Sequence, residues 1–287
     1  MPILVLIPIV SALIAYFLPT ARSVIIFCAI GTLFEAVLAV AAALLVFRQG
    51  PMFAADNWFM LDALSAYHVV VMMLIFALSA VYAVSYFRDE IGQGELTIRL
   101  ARRYGGLWFG SLAAMMLVLV SNNLGIMWVG IEATTLLTAF LICIHATPSS
   151  LEAMWKYILM CSVGVALAFA GTLLIAASTA GTTLHGTEAL IWTNLRDVVK
   201  NVDPTLLKTG FVFLVTGYGT KAGLAPMHNW LPDAHSQAPA PVSAIFSGFL
   251  LNAALYCILR CLPLVEALPG NEGWGREILV VFGIASI

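Results

Sequence analysis

Residues 206–226, LLKTGFVFLVTGYGTKAGLAP, form an apolar run of membrane-crossing length that holds a lysine, Lys221. Residues 123–144, NLGIMWVGIEATTLLTAFLICI, do the same with a glutamate, Glu132. A charge near the bilayer midplane costs about 2.5–3.5 kcal/mol on insertion scales, so such residues face a bundle interior or a water-filled path. One acid and one base held this way predict charge or proton movement. Runs of this kind predict an all-α, polytopic transmembrane helix bundle.

The composition agrees. The chain is 62% hydrophobic and only 10% charged, with mean hydropathy +1.00; soluble domains carry about 25% charged residues. The net charge of −2 gives no basic patch for nucleic acid. The first run, PILVLIPIVSALIAYFL, has no positive leader and no small-residue cleavage site, so it reads as a retained helix. The five cysteines, Cys28, Cys143, Cys161, Cys257 and Cys261, all lie in apolar runs without C-x-x-C spacing. They read as packing residues, and no redox cofactor is expected in this chain.

Hydropathy places spans at 2–18, 23–47, 61–86, 106–121, 124–145, 157–179, 206–225 and 242–262. A ninth begins near Glu277. No capping or turn signal ends EILVVFGIASI, so the chain is expected to be truncated. About eight or nine helices result, with polar segments at 87–105 and 180–205. Lys and Arg divide evenly between the two sides. The arginines crowded at 88–103 favour a cytoplasmic position for that segment and an external N-terminus.

Glu132 has Thr135 one turn on and Thr138 a turn beyond, a polar stripe on an apolar helix. Its functional reading is a carboxylate whose proton affinity depends on a nearby cation; the alternative is a structural carboxylate bonded to a neighbouring helix. Lys221 sits among Gly217, Gly219 and Gly223 with Pro226 beyond, which predicts a weakened, hydrated helix break. Its alternative is snorkelling to the interface. Lys156, beside Trp155 and Tyr157, reads as the opening of the sixth span and as an interfacial anchor. In PMHNWLPDAHSQAPAPVSA the prolines forbid a continuous helix, and His228, Asp233 and His235 are candidates for titration or hydrogen bonding. Two histidines seven apart across a proline have no recognised ligand spacing, so no metal site is predicted. Glu35, Asp62 and His68 are candidates for polar packing, for contacts with partner subunits or for transport. His145 and His185 read as interface and loop residues. No nucleotide-binding, catalytic-triad or zinc motif appears, and no catalytic residues are assigned.

Three strings carry a resemblance: MWVGIEATTLLTAFLI, WKYILMCSVGVALAFAGT and GYGTKAGLAPMHNWLPDAHSQAPAPVSA. Together they resemble the proton-translocating antiporter-like family of respiratory complex I and multi-subunit sodium/proton antiporters. Within it they look closest to the F-type membrane component of hydrogenase-4 complexes, found with group 4 nickel–iron hydrogenases and formate hydrogenlyase. LPDAHSQAP is the most specific string, and the likeness is strongest over about 105–262.

The resemblance implies proton-transfer roles for Glu132 on the fifth helix, Lys156 on the sixth and Lys221 on a broken seventh; His228 and His235 are added as relays on their own chemistry. Thr135, Pro226 and Asp233 join them as relay or helix-break positions. A lysine found on the eighth helix of some complex I subunits falls on Asn252, which cannot carry the proton charge, and this departure favours the hydrogenase-type branch. The implied organisation is helices 1–3 and a loop in 1–104, a first inverted repeat in 105–262 and the start of a second in 263–287. The implied partners are other membrane subunits, a hydrogenase or dehydrogenase arm and the lipid bilayer, in a bacterial or archaeal plasma membrane. The expected mechanism is a switchable Glu132–Lys221 ion pair, whose attraction at 4 Å is about 4 kcal/mol at an effective dielectric of 20. The other readings are a cation/proton antiporter module with no redox partner and a scaffold fragment that moves nothing.

Overall fold

A computed structural model describes residues 1–286 of the chain. The long helices are α1 (Pro2–Phe17), α2 (Ala21–Gln49), α3 (Ala63–Gln93), α4 (Ile98–Val120), α5 (Leu124–Ile142) and α6 (Pro148–Ala177). They continue with α8 (Pro204–Ala222), with α10 (Ala240–Ile245) running through a π-helical turn into α11 (Leu251–Glu266), and with α12 (Trp274–Ala285). Six rods, α2 to α6 and the joined Ala240–Glu266 rod, are long and apolar enough to cross a membrane. Two short helices, α7 (Trp192–Val198) and α9 (Trp230–Gln237), bring the number above the expected eight or nine rods.

Helix starts follow local chemistry. Thr20 and Thr147 form capping boxes with Ser23 and Ser150 at the starts of α2 and α6. Asp62, Thr97, Asn123 and Asp203 accept backbone N–H bonds at the starts of α3, α4, α5 and α8. These caps explain why the helices outrun the apolar windows. The polar segment 87–105 is mostly helix, the end of α3 and the start of α4, because its arginines lie on helix surface. Lys156 does not open α6, which begins earlier at Pro148. The segment 180–205 contains α7 rather than open loop alone. A hairpin missing from the hydropathy reading, β1 (Met52–Ala54) and β2 (Phe59–Leu61), turns through Ala55, Asp56 and Asn57 at positive φ.

Apolar side chains such as Phe17, Val37, Leu78, Leu159 and Val163 are exposed on the rods, as a lipid-facing perimeter requires. Inside, α6 and α8 approach through small residues. A Cβ on Gly217 would stand 2.5 Å from the Ala168 nitrogen and the Gly164 oxygen, and one on Gly171 2.6 Å from the Gly210 oxygen. Such stripes let backbones meet where apolar lipid offers no hydrophobic drive. Gly217 and Gly219 therefore do not weaken α8. The helix runs through them to Ala222 and ends at Gly223, which takes the left-handed cap at φ 80°. The expected break in the seventh span lies there, between α8 and α9.

Candidate functional site

Lys221 occupies the last turn of α8 and is fully buried. Its ammonium donates to the Ile131 carbonyl oxygen at 2.9 Å and to the Thr135 hydroxyl, both on α5. An ammonium has three N–H donors; these contacts use two, and the Tyr157 ring lies 5.9 Å away. The α6–α8 contact and the Trp230 indole, which donates to the Thr220 carbonyl at 2.9 Å, hold this end of the helix. Lys221 does not snorkel.

Glu132 follows Ile131 on α5. Ser162 of α6 donates to its Oε1 at 3.4 Å, while Oε2 is buried without a protein partner. The carboxyl therefore points into the protein. No ion pair within 4.0 Å joins it to Lys221. The expected direct contact is replaced by a bridge through the Ile131 carbonyl and the Thr135 hydroxyl. The reason is geometric. An ammonium that reaches the exposed lone pair of a carbonyl and a hydroxyl one turn from the carboxylate satisfies two of its three donors without desolvating a full ion pair.

A second polar link continues along α5. The Thr138 hydroxyl lies 2.6 Å from the Thr134 carbonyl and 2.7 Å from the Tyr157 hydroxyl. Thr138 spends its one hydrogen on the carbonyl, so the Tyr157 hydroxyl donates to Thr138. Tyr157 is fully buried against Trp230 and Phe246, not the interfacial anchor its place beside Lys156 suggested; Trp155 alone takes that exposed position. The available signal was spacing: Tyr157, Cys161, Gly164 and Ala168 share the α6 face that meets α8.

The remaining candidates stand outside this cluster. Lys156 is half-exposed and pairs with Asp233 of α9 and Glu152, each at 2.8 Å. His235 bonds the Ser243 hydroxyl at 2.7 Å, and burial pushes its imidazole below the ordinary value. His228 is exposed. Asn252, in the first turn of α11, donates to the Gly248 carbonyl of the preceding π turn at 2.8 Å. Pro226 lies in the link between α8 and α9, and its peptide bond with Ala225 is cis. Glu35 is buried with neither carboxylate oxygen partnered, and His68 bonds the Leu64 carbonyl at 2.8 Å.

Asp62 belongs to a cluster that hydropathy split apart. Arg260, counted in the sequence as a flanking charge, is buried and makes a two-pronged bond to Asp62 at 2.6 and 2.8 Å. It also reaches Ser65 and Tyr256, and stacks over Trp192 at 5.1 Å. Burial pushes the Asp62 carboxyl up, but the bonds and charge of Arg260, with those of Ser65, outweigh it and bring it down to about 2. Arg260 was missed because it follows a long apolar run, where a terminal arginine reads as an interface anchor.

The family model described as NADH:quinone oxidoreductase/Mrp antiporter, transmembrane, matches residues 121–287, which contain Glu132, Thr135, Tyr157 and Lys221 but not Asp62. The hydrogenase-4 component F homolog of Methylacidiphilum infernorum is 40% identical over 258 residues, 90% of this chain and 53% of that protein. Hydrogenase-4 component B of Escherichia coli is 28% identical over 84% of this chain and 34% of its own length. The chain thus spans about half or less of these curated relatives. A chain of the membrane-bound sulfane sulfur reductase, an archaeal respiratory membrane complex, superposes with TM-score 0.80 at 22% identity, over 98% of this chain and 56% of that one. That likeness shows the fold.

Proposed function

Because the chain belongs to the NADH:quinone oxidoreductase/Mrp antiporter transmembrane family, we propose that it translocates protons as a membrane subunit of a multi-subunit redox complex of the hydrogenase-4 kind. The observation that carries this reading is the fully buried Lys221 ammonium, bound to the α5 backbone and Thr135 one residue and one turn from Glu132. In this scheme the lysine holds a proton while its two α5 contacts are made. Displacement of α8 or α9 removes those contacts and leaves a desolvated ammonium, which sheds its proton. The unpartnered Glu132 Oε2 and the Thr135–Thr138–Tyr157 line offer acceptors and donors for its passage, with water completing the gaps.

Electron carriers and the hydrogenase or dehydrogenase arm are assigned to other subunits, whose redox chemistry drives the displacement. Lys156, Asp233 and His235 are read as the surface end of the path. Residues 105–262 are read as the first of two inverted repeats and 263–287 as the start of the second. The complex is placed in a bacterial or archaeal plasma membrane with the N-terminus outside.

The test is redox-driven acidification by the complex in proteoliposomes. Lys221→Ala should abolish proton transfer while electron transfer in detergent continues; undiminished pumping defeats the proposal. Flux that follows a sodium gradient and ignores electron donors would instead support the antiporter module.

A further inference from the structure

Apart from the lysine cluster, the membrane face that carries Arg22, Arg88, Arg99, Arg102 and Arg103 holds a groove between the start of α2 and the end of α3. It has a volume of about 290 Å³ and is lined by Arg22, Arg88, Ile25, Ile26, Val84 and Ile91. We propose that this groove is a binding site for an anionic phospholipid, with the phosphate between Arg22 and Arg88 and an acyl chain along Ile25, Ile26 and Val84.

Three observations converge. First, the two arginines lack counter-charges: among the described residues no carboxylate lies within 4.0 Å of either. Nearby Glu90 is turned to His145 at 3.1 Å, and Asp89 does not line the groove. Second, two of their neighbours on the same face are committed. Arg102 donates twice to the Leu18 carbonyl, at 3.1 and 2.8 Å, and Arg103 stacks over Phe140 at 5.4 Å. Third, polarity is graded with depth. Arg22 lies in the first turn of α2, and Ile25 and Ile26 follow one turn deeper; Arg88 lies near the end of α3, with Val84 one turn deeper and Ile91 at the mouth. A guanidinium pair above an apolar trough matches a headgroup phosphate above its acyl chain, and the positive end of the α2 dipole adds to the field. Basic pockets between transmembrane helices recognise anionic lipid headgroups by this chemistry.

The test counts lipids retained on the purified full chain, by native mass spectrometry, after exchange between phosphatidylcholine nanodiscs with and without phosphatidylglycerol. The wild type should retain phosphatidylglycerol selectively. R22Q/R88Q should lower that retention about thirtyfold, the effect of removing two surface cations, while R99Q, on the same face, should not. R22K/R88K should keep most of the retention, and melting in phosphatidylcholine reports that the variants fold. The proposal is overturned by equal retention in R22Q/R88Q, by equal retention of phosphatidylcholine, or by arginine-dependent binding of inorganic phosphate without retention of the lipid. It is also overturned if a photo-crosslinker at Val84, in the assembled complex, captures a protein segment instead of lipid.

Discussion

The ammonium of Lys221 lies 2.9 Å from the carbonyl oxygen of Ile131, the residue immediately before Glu132. A basic side chain from α8 is thus tied to the backbone of the helix that carries the acid, without touching the acid itself. The Thr135 hydroxyl, one turn beyond Ile131 on the same helix, is the second anchor of the ammonium.

Thr135→Val keeps the shape of the side chain and removes the hydroxyl. A hydrogen bond to a charged group contributes about 1.5–3 kcal/mol, so redox-driven proton transfer should fall at least about tenfold. Thr135→Ser should restore it. Proton flux in proteoliposomes, compared at equal electron-transfer rates, checks both outcomes.

Gly217 tests the helix contact that holds the lysine. Gly217→Leu would press a side chain into the Ala168 nitrogen and Gly164 oxygen, backbone atoms that cannot turn away. Overpacking of this kind costs about 1–3 kcal/mol. A lower melting temperature in detergent, together with lost proton transfer, is expected. The same substitution at Gly283, with nothing within 4 Å, should leave melting unchanged.

The Asp62–Arg260 clasp should make stability depend on acid. The folded carboxyl sits at about 2, below its ordinary 3.8. The clasp is therefore fully stabilising above about pH 4 and loses its contribution as pH falls toward 2. Asp62→Asn leaves a buried guanidinium without its counter-charge and should cost about 3 kcal/mol at pH 7. Thermal melts of wild type and variant that converge as the pH drops would bear this out; parallel curves would not.

Glu35 gives the opposite sign. Its carboxyl is enclosed with no donor to either oxygen, a burial that costs free energy whichever protonation state it takes. Glu35→Met should hold or raise the melting temperature. A drop of several degrees would mean that water or a partner group satisfies this acid.

Much of this was legible in the sequence, and the gaps have physical causes. The spans and the isolated charges at 132 and 221 are visible because apolar length and a lone charge are local signals. The helix ends were misplaced at Lys156 and at 88–103 because hydropathy windows register transfer free energy, whereas caps such as Thr147 and Thr97 set where helices start. The Gly217 reading failed because a glycine's low helix propensity and its value in close contact predict opposite things, and only the partner helix decides. The burial of Tyr157 was signalled only by its spacing to Cys161, Gly164 and Ala168, whereas the Arg260 clasp depends on residues distant in sequence, so no local pattern announced it.

Helix α9 has two attachments of different kinds. Asp233 is held by Lys156 at the half-exposed rim, and Trp230 is held by the carbonyl next to Lys221 in the interior. One short rigid rod therefore spans the boundary between the wet edge and the dry centre. Whatever tugs on the rim, a neighbouring subunit or a change of local charge, acts as a hand on a crank whose far end turns the backbone at the amine.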